Sequence, residues 1–185
     1  MPFQPTRMHV LFLIAAFSAA SFIGDANAAE QKLTGKNTKI TFVGGKPDGS
    51  THSGTFKELT GAIEVPSEDV TQAKLNVTIK IESMETDNER LTGHLLSPDF
   101  FEARRYPEAK FVSKSIEKTD DGYMIVGELT MRGVTKPLKF PAKITVEGDD
   151  VTLSSKFELD RTQWEIVYGK GQINDAVKMA IEVKK

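Results

Sequence analysis

The chain has 185 residues, with 24 basic and 26 acidic side chains, a formal charge of -2 and no cysteine. That length points to one domain. The balanced charge gives no electrostatic case for nucleic acid or an anionic membrane surface, and the missing thiol excludes disulfides, a cysteine nucleophile and a cysteine-linked lipid anchor.

In chain order, Met1 to His9 carries Arg7, Val10 to Ile23 is mostly apolar, and Ala26-Asn27-Ala28 forms an A-x-A site. This is the pattern of a secretory signal peptide, with cleavage expected after Ala28. Ser18, Ser21 and Gly24 interrupt an apolar run already too short to span a membrane. The expected mature domain is residues 29–185, periplasmic or secreted, with no stable membrane anchor. Ala29 to Lys36 is polar and reads as a loose lead-in.

Alternation then begins. Ile40 and Phe42 share one face of a strand that ends in the turn-forming Gly44-Gly45-Lys46-Pro47-Asp48-Gly49. Thr51 to Leu59 forms the next strand, and Gly61 to Val65 reads as its continuation past a kink or bulge. Lys74 to Glu82 alternates strictly, with Leu75, Val77, Ile79 and Ile81 on one side.

The stretch from Leu91 to Pro107 breaks the pattern. Leu91 and Leu95 are four apart and share a helical face, which Leu96 widens. Ser97 and Pro98 suit the cap and first position of a second short helix, and Phe100-Phe101 adds two adjacent rings. Strand periodicity returns with Ala109 to Ile116, Tyr123 to Met131, Leu138 to Ile144, Val151 to Leu159 and Val177 to Val183, with turns at Asp120-Asp121-Gly122 and Gly148-Asp149-Asp150. The result is an all-β chain of eight antiparallel strands, apolar on one face, that fits a sandwich or a closed barrel. The barrel is favoured because the helical insert can cap its end.

No catalytic signature emerges. The mature chain has two histidines, His52 and His94, which do not supply the three or four ligands of a zinc site, so no metal or cofactor is assigned. The serine-nucleophile elbow, the P-loop and the dinucleotide fingerprint are absent. Asp160-Arg161 ends a strand just before Trp164 and Tyr168. It reads either as a salt-bridged corner pinning the next loop, the favoured view, or as an arginine at a barrel mouth that binds an anionic head group. Trp164 and Tyr168 either complete the core or line a pocket. Inward positions include Phe42, Phe56, Val77, Phe111, Phe140, Phe157 and Met179. Periodicity does not decide whether they fill the interior or surround a cavity.

Three segments together resemble the YceI-like family: Leu91 to Pro107, Leu129-Thr130-Met131-Arg132-Gly133-Val134-Thr135-Lys136-Pro137, and Asp160-Arg161-Thr162-Gln163-Trp164. Phe42, Gly54, Phe56 and Tyr168-Gly169 match as well. The chain departs from the family pattern at Lys46, at Leu91-Thr92 and at Glu165.

The resemblance implies an exported, non-enzymatic, lipocalin-like barrel that binds polyisoprenoid or another long-chain amphiphilic lipid for transport, storage or sequestration. It places Phe42, Phe56, Leu95, Phe100, Phe101, Phe111, Trp164 and Tyr168 along a tunnel, with Arg161 as a polar contact. A homodimer is compatible with it. The alternatives are a ligand-free structural or stress-response barrel, and an enzyme acting on a lipid-like substrate through His94 and Asp99.

Overall fold

The computed structural model describes residues 29–66 and 69–185, so the signal peptide expected over residues 1–28 lies outside the described residues. Eleven strands form one antiparallel sheet. They are β1 (Ala29–Thr34), β2 (Thr38–Gly45), β3 (Thr51–Phe56), β4 (Leu59–Val65), β5 (Lys74–Lys80), β6 (Met84–Thr86), β7 (Glu108–Thr119), β8 (Gly122–Met131), β9 (Val134–Glu147), β10 (Asp150–Asp160) and β11 (Ala176–Val183). Among the described residues one α-helix, α1 (Glu89–Leu96), lies between β6 and β7.

Eight strands are expected from the sequence and eleven are observed, for two physical reasons. First, β3 and β4 are halves of one bent strand, and so are β5 and β6. Across the bend, Lys57 N–H donates to Ser83 O at 3.1 Å and Lys80 N–H donates to Glu58 O at 3.0 Å. The ladder therefore continues from the Phe56–Met84 pair to the Leu59–Ile79 pair. Since β6 ends the strand order on one side and β4 and β5 lie near the other, this bent hairpin closes the sheet into a barrel.

Second, the lead-in is a strand. β1 pairs with β4 from Ala29–Val65 to Thr34–Thr60 and also touches β10. Only Ala29 and Leu33 are buried apolar residues on it, four apart with Gln31 between, so its alternation is masked by polar neighbours.

The barrel wall is split at one seam. β9 pairs with β8 along Val134 to Ala142, but with β10 only from Lys143 to Glu147. Pro137 and Pro141 share the strand parity that faces β10, and neither has an N–H to donate. Ser155 Oγ instead donates to Pro141 O at 2.5 Å. The 3₁₀ turn Arg161–Trp164 closes the rest of the seam against β9.

Two glycines make room for rings that lie across neighbouring strands. Gly54 sits opposite Phe42, and a methyl there would collide with the Phe42 ring. Gly127 does the same for Phe111, whose Cζ would lie 2.5 Å from an added Cβ. The rings thus cover bare backbone, which keeps them flat against the inner wall.

Candidate functional site

One end of the barrel is capped by α1 and the turns that follow it. Asn88 starts the helix by accepting from Leu91 N–H at 3.2 Å through Oδ1. Leu91 and Leu95 then project from one face into the barrel. The second short helix expected from Ser97 is a run of turns instead. Phe101 N–H returns to Leu95 O and Ala103 N–H to Leu96 O, both at 3.0 Å, so the last carbonyls of α1 are satisfied by a reversing chain. Glu102 makes that reversal with φ 50°. Phe100 is buried, and the Phe101 ring meets Phe56 edge-on with centroids 6.5 Å apart.

Beneath the cap lies a cavity of about 210 Å³. Phe42, Phe56, Leu95, Phe100 and Phe101 all line it, together with Met131, Ile166, Ile173 and Val177. A second cavity of about 90 Å³ lies deeper, lined by Ile40, Val77, Phe111, Phe140, Phe157 and Val183 among others. Phe111, expected along the same tunnel, therefore belongs to this inner chamber. Phe140 stacks on Phe157 there at 4.8 Å and 17°. Both walls are almost wholly carbon.

The polar groups at the outer cavity sit on its rim. Lys46, Ser50 and His52 reach it from the β2–β3 hairpin. His52 Nδ1–H donates to Asp87 Oδ1 at 2.9 Å, and Asp87 Oδ2 accepts from Ser53 N–H at 2.9 Å. The Ser53 amide, then the His52 ring, hold the Asp87 carboxyl below its ordinary range.

Arg161 corrects the head-group view. It lines the outer cavity and is 5% exposed, but its donors are committed. Nε donates to Asn174 O at 3.1 Å, Nη1 to Ile166 O at 2.6 Å and to Tyr168 O at 2.9 Å, and Nη2 to Ile173 O at 3.3 Å and to Asp175 Oδ1 at 3.2 Å. The residue pins the loop after β10, as the salt-bridged corner reading has it. Asp160 beside it caps the 3₁₀ turn. The Thr162 hydroxyl at 2.7 Å, helped by the Thr162 amide, lowers its pKa.

Trp164 and Tyr168 are corrected too. Trp164 is 1% exposed and its Nε1–H donates to Leu129 O at 2.9 Å, so it braces the wall from behind instead of lining the tunnel. Tyr168 is 44% exposed and packs against the cap, its ring 5.0 Å from His94 and 5.1 Å from Phe100. His94 Nε2–H donates to Asp99 Oδ2 at 2.9 Å on the outer side of the cap, and neither residue lines the cavity.

Ile166 and Ile173 escape the sequence reading because they lie on an irregular loop with no periodicity. Their signal is indirect: the arginine that precedes them holds carbonyls of both.

The profile described as a YceI-like domain matches residues 31–185. Protein YceI of Escherichia coli O157:H7 is 37% identical over 150 residues, covering 80% of this chain and 76% of that protein. UPF0312 protein plu2095 of Photorhabdus laumondii is 41% identical over 97 residues, so this chain spans 50% of its length and 52% of its own. Among solved structures, a polyisoprenoid binding domain from Saccharophagus degradans superposes with a TM-score of 0.64 at 13% identity, over 85% of this chain and 99% of that one.

Proposed function

The chain belongs to the YceI-like family, and from that premise we propose that it is an exported protein that holds a polyisoprenoid or similar long-chain lipid, for transport, storage or sequestration. The observation that carries this reading is the outer cavity of about 210 Å³ inside a closed barrel. Protein interiors are normally filled to crystal-like density. A space left unfilled forgoes the packing contacts its lining side chains would otherwise make.

A hydrocarbon chain recovers that loss and leaves water at the same time, at roughly 0.8 kcal/mol per buried methylene. The carbon wall and polar rim suit an amphiphile with its tail inside and its head at Lys46 and His52. The Saccharophagus degradans domain, described as polyisoprenoid-binding, supports the same ligand class. No reaction is assigned: His94 and Asp99 face away from the cavity. The A-x-A site at Ala26-Asn27-Ala28 supports export.

The test is native mass spectrometry and solvent extraction of the protein purified from a bacterial periplasm. A co-purifying prenyl lipid, or tight binding of added prenyl alcohol, is expected. Reproducible absence of both would overturn the reading.

A further inference from the structure

The two cavities share four lining residues: Ile79, Leu129, Leu159 and Met179. Each of these marks the same level on its own strand. From Ile81, just past the end of β5, in the outer cavity the wall passes along β5 through Ile79 in both to Val77 in the inner one. On β11 the series is Val177, Met179, Ile181; on β8 Met131 precedes Leu129; on β10 Phe157 lies below Leu159. β2 brackets the level, with Phe42 outside and Ile40 inside. Four strands from opposite sides of the barrel thus place one side chain each in a single layer. The layer lies where the outer cavity of about 210 Å³ adjoins the inner one of about 90 Å³.

We propose that this four-residue layer is a length gauge for the bound hydrocarbon, with Met179 its adjustable member; the proposal rests on the lipid-binding reading above. Three of the four are stiff. Ile79 is β-branched, which fixes its first side-chain torsion. Leu129 is buried and its carbonyl is held by Trp164, and Leu159 is buried beside the pinned Arg161. Met179 is half-buried and unbranched, between Phe42 on β2 and Phe157 on β10.

From Lys46, just past the end of β2, to Phe42 above the layer is four residues, at most roughly 14 Å measured along the strand. That depth suits a farnesyl-length tail. A longer tail has to pass Met179 to reach the inner chamber, and there it meets the stacked Phe140 and Phe157. The gauge therefore limits how much of an isoprenoid tail is buried to about a farnesyl length, and truncating Met179 joins the chambers and extends the buried length.

The experiment is displacement of a fluorescent fatty-acid probe by geraniol, farnesol, geranylgeraniol and solanesol, using the full mature protein and its Met179→Ala variant. For the parent, affinity rises from geraniol to farnesol and then levels. For Met179→Ala, geranylgeraniol gains between about tenfold and a thousandfold over farnesol, the range expected when between two and all five carbons of a further isoprene unit become buried at roughly 0.8 kcal/mol each. Met179→Val, which removes less volume and suits a strand, gives the same shift at smaller amplitude if the alanine variant does not fold. Affinity that climbs steadily to solanesol in the parent, or a length profile unchanged in both variants, overturns the gauge while leaving the lipid reading standing. Failure of all four alcohols to bind the parent overturns the lipid reading and the gauge with it.

Discussion

Arg161→Met is the sharpest test of how the tunnel is held open. Methionine keeps most of the apolar stem and loses all the donors. Four backbone carbonyls, those of Asn174, Ile166, Tyr168 and Ile173, and the Asp175 carboxylate lose their partner together. A buried acceptor left unpaired costs about 1–3 kcal/mol. Relaxation and water entering the loop recover part of that, and removal of one member of a buried charged cluster typically costs 3–5 kcal/mol. The expected loss is about 4 kcal/mol, a large share of the roughly 5–15 kcal/mol that holds a domain together. A domain of this size loses about 2–4 °C of Tm per kcal/mol, so the melting point falls by roughly 10 °C.

The assay is thermal melting followed by near-ultraviolet circular dichroism, with lipid removed so that binding does not contribute. Arg161→Lys, with three rotatable donors in place of a planar fork, recovers less than half of the loss. A variant that melts within about 2 °C of the parent and loses affinity only for anionic lipids would refute the structural role. It would also restore Arg161 as a head-group contact.

Three further outcomes are expected. Arg132→Met removes the donors to Pro98 O at 3.0 Å and to Glu165 O, and the Glu102 contact at 3.8 Å, which together tie the cap to the barrel. It costs about 1–3 kcal/mol, and hydrogen exchange accelerates most in residues 97–106. Glu165→Gly relieves a left-handed residue at φ 59° while keeping the carbonyl that Arg132 uses, so the urea midpoint rises by an amount equivalent to about 1 kcal/mol. Asp160 and Asp87 both have folded-state pKa values below their unfolded ones, through the Thr162 hydroxyl and the Ser53 amide respectively. Their contribution is therefore complete above the unfolded carboxylate value and is lost as pH falls through the lowered folded values. Asp160→Asn keeps a cap without the titration, and the acid limb of stability against pH becomes shallower in urea melts repeated at each pH.

The β-strands were legible wherever one face meets carbon and the other meets water. Leu75, Val77 and Ile79 in β5 are the clear case, and Met179 and Val183 in β11 another. β1 was not legible, because two inward apolar residues four apart carry too little period to outweigh Glu30, Gln31 and Lys32. The cap divides the same way. Leu91 and Leu95 announce α1, but local propensity at Ser97-Pro98 favours a second helix that the fold replaces with turns. The amides of Phe101 and Ala103 are drawn back to Leu95 O and Leu96 O, and Arg132 takes Pro98 O. Those are long-range or reversing contacts that no window of sequence contains. For Trp164 the ring's burial was legible and its direction was not, because its partner, Leu129 O, comes from a strand 35 residues away.

Alternation gives the direction of a side chain but not the distance to the side chain opposite, and this is why the hollow interior escaped the sequence. That distance is fixed by the frame. Here the strong polar bonds of the frame lie behind the wall: Trp164 to Leu129 O, Ser155 to Pro141 O, and Arg161 to the loop carbonyls. Each joins two segments of the wall or its loops, and each satisfies its polar atoms within the protein. The interior is left almost wholly to carbon, and collapse into the cavity of about 210 Å³ would strain these bonds. The Arg161 bonds alone oppose collapse, since a hydrogen bond to a charged group contributes about 1.5–3 kcal/mol. The open tunnel persists because its frame is stabilised independently of its contents.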